Sequence, residues 1–204
     1  VGSLRADLPP GAFVLVDQLI DRTLRKPKSF FGTGLVAHVS MGHPTCPRLI
    51  DHLAASSTAL DLVAHKGGTY VVMEGPQFSS MAESELHRSF RADVIGMTNM
   101  PEAKLAREAE ICYTTCAMVT DFDSWHDTED AVTVEMIVGN LAANSEAARK
   151  IVGNIATAIQ GGALPPSCAC RKALDQAILT AKTDFPTEAQ TRLEPILRRY
   201  MQES

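Results

Sequence analysis

The segment Thr120-Asp121-Phe122-Asp123-Ser124-Trp125 places two carboxylates two residues apart at the end of an apolar stretch. In an extended chain, residues i and i+2 project to the same side, so Asp121 and Asp123 are expected to share one face. Such a pair can bind a metal, exchange a proton with a substrate, or accept hydrogen bonds from local backbone amides. Metal binding is the least favoured of these readings, because no further ligands cluster nearby in the sequence.

A second candidate is Glu74-Gly75-Pro76-Gln77-Phe78-Ser79-Ser80, which joins a predicted strand to a predicted helix. An aromatic ring and two hydroxyls near a helix N-terminus can stack on a planar ligand and hydrogen-bond to it. In the alternative interpretation, Ser79 or Ser80 caps the helix and Phe78 packs as a hydrophobic staple. The residues alone favour capping over ligand binding.

A third candidate is the turn Gly96-Met97-Thr98-Asn99-Met100-Pro101-Glu102. Its Thr98 hydroxyl and backbone amides can face an anion at the start of the following helix. Capping of that helix by Thr98 or Asn99 is an equally favoured alternative, and Met97 is predicted to be a core residue. Four basic residues can meet a phosphate, although a solvated loop is the more common outcome: Arg22, Arg25, Lys26 and Lys28.

Short apolar strands and amphipathic helices alternate around these turns. Strands are predicted at 12–17, 69–73, 93–97 and 111–120, and helices at 47–63, 80–91, 101–110 and 132–159, with one or two more helices ending near 201. Residues 19–36 are predicted to form a long loop, and Thr45 is a candidate cap for the first helix. The alternation predicts a single α/β domain over residues 1–204, with a mixed central sheet flanked by helices. Ligands of such folds bind beyond the strand ends, where the three candidate segments lie.

The composition narrows the class of partner. The net charge of −5 without a basic run argues against nucleic acid or an anionic membrane as the partner and leaves a small molecule. No apolar run approaches the roughly 20 residues of a membrane-spanning helix, and no leader pattern opens the chain, so a cytoplasmic location is expected. Five cysteines without CxxC spacing predict reduced, structural thiols. Cys168-Ala169-Cys170 offers half of a metal site at best, so no metal is expected.

Five separated segments resemble methylthioadenosine phosphorylases in order and spacing. They are Glu74 to Ser80, Ala82-Glu83-Ser84, Ala92-Asp93-Val94-Ile95-Gly96-Met97-Thr98, Pro101-Glu102, and Thr120 to Trp125. Gly2-Ser3-Leu4-Arg5 and Asp17-Gln18-Leu19-Ile20-Asp21-Arg22-Thr23 fit the same pattern. The resemblance covers residues 1 to about 155 and implies the nucleoside phosphorylase fold, within the trimeric class of purine nucleoside phosphorylases.

The resemblance also implies roles for individual residues. Phe78 would face the purine, Met97 would contact the ribose hydroxyls, and Thr98 would bind phosphate. Asp121 and Asp123 would recognise adenine, with Asp121 at N7 and the 6-amino group as the catalytic residue. Val1 and Gly2 would contact the base through their backbone, and Ile137 and Val138 would line an apolar 5′ pocket. Ser79 and Val134 would help to set the preference for a methylthio group. His38 would reach the pocket of a neighbouring subunit.

Elementary chemistry agrees with these roles. Adenine is a poor leaving group unless N7 is protonated or hydrogen-bonded, and a carboxyl kept neutral by poor hydration can supply that proton. Phosphate held below C1′ both stabilises an oxocarbenium-like ribose and attacks it. Phosphate is then a co-substrate, and no cofactor or metal is expected.

One departure limits the resemblance. The family's N-terminal Gly-rich turn and Arg-His pair, both of which contact phosphate, have no counterpart here, so N-terminal strands of the sheet are expected to be missing. The favoured expectation is a fragment of a pentosyltransferase that cleaves 5′-methylthioadenosine in methionine and purine salvage. The alternatives are an inactive nucleoside-binding or oligomerisation module, or another purine nucleoside phosphorylase. The last is disfavoured because 6-oxopurine enzymes of this class usually have Asn where Asp121 stands.

Overall fold

The computed structural model describes residues 1–126, 134–162 and 168–202. Within these ranges it contains eight strands and six helices. The strands are β1 (Gly2–Ser3), β2 (Phe13–Val16), β3 (Gln18–Asp21), β4 (Ala64–Lys66), β5 (Thr69–Val72), β6 (Val94–Gly96), β7 (Thr115–Met118) and β8 (Asp121–Phe122). The helices are α1 (Pro47–Ala59), α2 (Met81–Ser89), α3 (Glu102–Glu108), α4 (Val134–Gln160), α5 (Thr187–Arg192) and α6 (Glu194–Gln202).

The strands form two mixed sheets rather than one central sheet. The larger sheet has the order β3-β5-β6-β1-β8, and the smaller has the order β4-β2-β7. β3, β5 and β6 are parallel, whereas β1 runs antiparallel to β6 and parallel to β8. The chain therefore leaves the smaller sheet after β7 and enters the larger one at Asp121.

The buried strands explain why the sheets form. All four residues of β2 are buried, and Tyr70, Val71 and Val72 of β5 are buried as well. Continuous apolar runs of this kind belong to strands covered on both faces. α1 and α4 pack together over the smaller sheet, where Ile50 and Leu53 meet Ile151. The α/β class with flanking helices is thus confirmed.

The stretch of chain from β5 through α2 and β6 to the start of α3 carries two of the candidate segments. Ser80 is the N-cap of α2, and its side chain accepts a hydrogen bond from the Glu83 backbone amide while the Glu83 carboxylate accepts one from the Ser80 amide. This capping box fixes where the helix begins. Because β5 and β6 are parallel neighbours, the turns that follow them lie at the same edge of the sheet.

The C-terminal part packs on the loop that precedes α1. Phe31 and Leu35 share a core with Leu174, Phe185 and Leu197. A bridge between Ala37 and Ile178 and a hydrogen bond from the His38 amide to the Ala177 carbonyl (2.8 Å) reinforce the contact. Part of the predicted loop therefore has a structural role.

Several predicted boundaries differ from the structure. β3 lies inside the predicted loop, and β4 falls where no strand is predicted, because strands of three or four residues carry too few side chains to show a period. α1 ends at Ala59, and its N-cap is Cys46, so the prediction of Thr45 as the cap is wrong. The Thr45 hydroxyl instead lies 3.4 Å from the Asp17 carbonyl oxygen. No helix in the described ranges is long and apolar enough to cross a membrane.

Candidate functional site

Gly2 lies between the two aspartates of the first candidate segment. It pairs with Asp121 in the parallel β1–β8 ladder. A Cβ atom at Gly2 would lie 3.3 Å from Asp121 Oδ2 and 3.4 Å from the Asp123 Cβ. Both aspartates therefore flank the same point of the sheet, as the extended spacing predicts. Any larger residue at position 2 would crowd them.

Asp121 is half-buried, and its environment favours the protonated form. Burial raises the pKa of its carboxyl, while the hydrogen bond from the Thr120 hydroxyl to Oδ1 (2.5 Å) opposes that shift. A carboxyl with a raised pKa holds its proton closer to neutral pH and can donate it to a ligand. Val1 borders the same group, since its carbonyl accepts the Thr120 amide at 3.0 Å.

Asp123 is buried beside it. Its backbone amide donates to the Ser3 carbonyl at 2.9 Å, which fixes the start of the following turn. Among the described residues, nothing hydrogen-bonds to the buried Oδ2 oxygen. Leaving such an acceptor unsatisfied costs about 1–3 kcal/mol, so Asp123 has unused capacity to accept a hydrogen bond.

Ser79 and Phe78 are not used in capping α2, because Ser80 is the cap. The Ser124 hydroxyl donates to the Ser79 carbonyl at 2.6 Å and joins the turn after β5 to the turn after β8. Ser79 is buried, whereas Phe78 is 65% exposed. The capping prediction is thus confirmed for Ser80, and the prediction that Phe78 packs as a staple is wrong. Its exposed ring can stack on a planar ligand.

Met97 links the turns that follow β5 and β6. A Cβ at Gly75, whose φ is +68°, would lie 2.5 Å from the Met97 sulfur, so the Met97 side chain rests on the Gly75 backbone. The Arg25 guanidinium donates to the carbonyls of Met97 (2.7 Å) and Met73 (3.1 Å). Met97 is half-buried rather than a full core residue, and it remains within reach of a ligand.

Thr98 is exposed and does not cap α3. The N-cap is Pro101, without a side-chain hydrogen bond. The Asn99 side chain instead accepts hydrogen bonds from the Tyr113 hydroxyl (3.0 Å) and from the Thr115 hydroxyl (2.8 Å). The prediction that Thr98 or Asn99 caps α3 is therefore wrong. The Thr98 hydroxyl remains available to a ligand.

Tyr70 supports Thr98 and was not identified from the sequence. Its hydroxyl lies 3.4 Å from the Thr98 hydroxyl. A Cβ at Gly96 would lie 2.1 Å from the Tyr70 oxygen, so only glycine lets the phenol pass. A glycine inside a strand was the available signal, since it often marks such a close approach.

α4 lies against the two residues that connect β7 to Asp121. The Asn140 side-chain amide donates to the Thr120 carbonyl at 2.6 Å, and that of Asn144 donates to the Val119 carbonyl at 3.0 Å. Val134 and Val138 share one face of this helix and are 67% and 57% exposed. The side chain of Ile137 lies outside the described residues.

His38 lies away from the other candidate residues. It is exposed in the segment that packs on the C-terminal core, and the described contacts do not join it to Asp121, Thr98 or Phe78.

The prediction of a solvated loop is wrong for two of the four basic residues, Arg25 and Lys28. Arg25 holds the two backbone carbonyls described above, and Lys28 donates to Asp21 at 2.8 Å. Neither the contact of Arg25 with Met97, 72 positions away, nor the pairing of Lys28 with Asp21 had a signal in the sequence.

The sequence and fold of this chain match a known class of protein. Residues 1–157 match the family described as the phosphorylase superfamily. The S-methyl-5′-thioadenosine phosphorylase of Bradyrhizobium diazoefficiens is 50% identical over 200 residues, which is 98% of this chain and 69% of that relative. The S-methyl-5′-thioadenosine phosphorylase of Cereibacter sphaeroides is 48% identical over 202 residues, which is again 98% of this chain and 69% of the relative.

Solved structures agree with these relatives. A methylthioadenosine phosphorylase from an antarctic soil metagenomic library has a TM-score of 0.90 and 44% identity, over 96% of this chain and 69% of that one. The Schistosoma mansoni methylthioadenosine phosphorylase in complex with adenine has a TM-score of 0.75 and 31% identity, over 78% of this chain and 63% of that one. The chain therefore belongs to the phosphorylase superfamily, in its family of methylthioadenosine phosphorylases.

Proposed function

We propose that the protein is a pentosyltransferase that uses phosphate to cleave 5′-methylthioadenosine into adenine and 5-methylthioribose 1-phosphate. Curated relatives with about half of their residues identical over 98% of the chain carry the corresponding name. The observation that carries the chemistry is the half-buried carboxyl of Asp121, which lies beside Gly2. Burial raises the pKa of this carboxyl.

In this proposal Asp121 acts as the general acid. Its neutral carboxyl donates a hydrogen bond or a proton to N7 of adenine, so that the base leaves without a full negative charge. The carbonyl oxygen of the same carboxyl accepts a hydrogen bond from the 6-amino group. Asp123 supplies the unsatisfied acceptor on the same face, and the backbone of Val1 and Gly2 borders the base.

The turns after β5 and β6 hold the rest of the nucleoside. Phe78 stacks on the purine with its exposed ring, and Met97 packs against the ribose. Thr98 contributes one hydroxyl and one backbone amide to the phosphate. A phosphate anion below C1′ stabilises the positive charge that develops on the sugar and then forms the new bond. Phosphate is a co-substrate here, and the proposed reaction calls for no cofactor.

The 5′ end of the substrate is proposed to meet α4. Val134 and Val138 offer exposed apolar surface that suits a methylthio group better than a hydroxyl. Ile137, whose side chain lies outside the described residues, and Ser79 are proposed to contribute to the same preference. Further exposed apolar residues of the same helix include Leu141 and Val152. Exposed apolar surface of this kind often marks a subunit interface.

We also infer that the protein works as a homotrimer in which His38 reaches a neighbouring subunit's 5′ pocket. Its exposure is compatible with that role. A cytoplasmic enzyme of methionine and purine salvage accords with five cysteines that are all free, because thiols persist in a reducing compartment.

The test is adenine release from 5′-methylthioadenosine by the purified protein, with and without phosphate. The native mass is recorded in the same preparation. Release that requires phosphate and exceeds that from adenosine and inosine is the expected result. Substrate binding by a folded protein without any release would instead favour an inactive nucleoside-binding module. Preference for inosine would indicate a 6-oxopurine phosphorylase.

A further inference from the structure

Four of the five cysteines converge at a place outside the proposed active site. Cys46 immediately precedes α1, Cys112 lies between α3 and β7, and Cys168 and Cys170 flank the start of a 3₁₀ turn at Ala169–Lys172. Their four sulfur atoms all lie within 4.8 Å of one another. The Cys168-Ala169-Cys170 pair is half of a site in the sequence, and the fold supplies the other half.

The spacing of these sulfurs is close to that of a tetrahedral thiolate site. A zinc–sulfur bond of about 2.3 Å places the sulfurs of an ideal tetrahedron about 3.8 Å apart. The Cys46 and Cys168 sulfurs are 3.6 Å apart, and the other pairs lie within the 4.8 Å limit. Small side-chain rotations are therefore enough to bring all four to bonding distance.

We propose that Cys46, Cys112, Cys168 and Cys170 bind one Zn²⁺ ion in a structural tetrathiolate site. This proposal differs from the expectation, drawn from sequence spacing, that no metal is bound. Spacing rules detect only ligands that are close in sequence, whereas the cysteines proposed here come from segments more than 50 residues apart.

The surroundings of the cluster fit a metal. Three of the four cysteines are buried, and Leu49 packs against them, which keeps water away. The backbone amide of Cys170 hydrogen-bonds to the Cys168 sulfur. Hydrogen bonds of this kind orient thiolate ligands and disperse their charge.

An entry path for a metal ion is also present. Cys112 is half-buried and lines a cleft of about 820 Å³ together with Arg171, Arg198 and Arg199. One Zn²⁺ with four thiolates carries a net charge of −2. Arg171 lines the same cleft, whereas Arg198 pairs with Glu194 at 2.7 Å and Arg199 pairs with Glu110 at 3.0 Å, so the charges of these two guanidinium groups are already offset by carboxylates. Arg199 is held in place by Asp175 at 2.6 Å.

The position of the site indicates a structural role. Four protein ligands leave no open coordination position, so the ion would not activate water or phosphate. It would instead connect the start of α1 and the segment between α3 and β7 to the 3₁₀ turn at Ala169–Lys172. The inference does not depend on the proposed activity.

The test measures metal in the protein purified with a thiol reductant and with zinc in the growth medium. We expect about one zinc per chain, retained through gel filtration. Replacement by Co²⁺ should give the intense visible bands and sulfur-to-cobalt charge-transfer absorption of a tetrahedral tetrathiolate. The cobalt measurement needs no variant, so it is informative even if substitutions impair folding.

Variants then locate the site. Cys168→Ser should reduce the zinc content to less than about a tenth per chain, whereas Cys116→Ser, at the cysteine outside the cluster, should leave it unchanged. Zinc retained equally by both variants would overturn the proposal. A folded wild-type protein without zinc would also overturn the proposal. Its cysteines would then be free thiols that all react with a thiol reagent, or disulfides that each lower the intact mass by two hydrogens.

Discussion

Replacing Asp121 by Asn separates hydrogen bonding from proton donation at the proposed general acid. The Thr120 hydroxyl donates to Asp121 Oδ1, and the Asn carbonyl oxygen can accept the same bond. Asn has almost the same volume, so packing beside Gly2 is preserved. The amide can still hydrogen-bond to adenine, but it has no acidic proton to transfer.

The expected loss of activity is large. General acid catalysis contributes about 10²–10⁴-fold, which corresponds to about 3–5 kcal/mol of transition-state stabilisation. We therefore expect kcat/KM for 5′-methylthioadenosine to fall by at least about 10²-fold. The exposed pair of Asp51 with Lys66 provides a matched control, because Asp51→Asn removes a surface ion pair that includes none of the proposed substrate-binding residues.

The expected change in stability has the opposite direction. Burial raises the pKa of Asp121 in the folded state, so the folded protein holds the proton more tightly than the unfolded chain does. The stability contributed by this group is present at low pH and is lost as the pH rises through its folded-state pKa. The uncharged Asn avoids that loss, so the variant should be at least as stable as the wild type at neutral pH.

The assay follows adenine release and urea unfolding of both proteins at about pH 5 and about pH 8. The wild-type rate should fall as the pH rises through the pKa of Asp121, and the stability difference should favour the variant more at the higher pH. A variant that loses stability in proportion to its activity would refute the role of Asp121 as a proton donor. So would a loss of activity no larger than that of Asp51→Asn.

Two further predictions concern the close approach of Tyr70 to Gly96 and the exposed Val134 of α4. Gly96→Ala should lower the free energy of unfolding by about 1–3 kcal/mol, because the new Cβ meets the Tyr70 hydroxyl. Gly153→Ala, which meets nothing within 4 Å on α4, should be neutral or stabilising in the same urea titration. Val134→Ala should reduce the ratio of kcat/KM for 5′-methylthioadenosine to that for adenosine by about tenfold, through lost apolar contact. Val63→Ala, at an exposed valine outside α4, should leave the ratio unchanged, and an equal change in both variants would contradict the pocket assignment.

Much of the site was predictable because its signals are local. The Asp121/Asp123 spacing determines a shared face, and the Ser80/Glu83 capping box determines where α2 begins. Such features depend on residues a few positions apart, and their physical rules hold in any fold.

The parts that escaped prediction depend on distant pairs. The contact between Tyr70 and Thr98 depends on two strands pairing in one particular register. Asn140 reaches a carbonyl 20 residues away, and the sulfurs of Cys46 and Cys168 meet across 122 positions. No periodicity or propensity encodes these distances, because only the completed topology brings the residues together.

The two asparagine amides on α4 have a consequence for how a substrate's two ends communicate. Asn140 and Asn144 grip main-chain carbonyls immediately before Asp121, and Val138 lies less than one turn away on the same helix. Thermodynamic linkage is reciprocal, so a group that orders this end of α4 also orders the carboxyl, and a bound base orders the helix in turn. In the proposed enzyme, binding of the methylthio group against α4 therefore helps to align Asp121 with the adenine that leaves. A nucleoside without that group should then lose turnover as well as affinity.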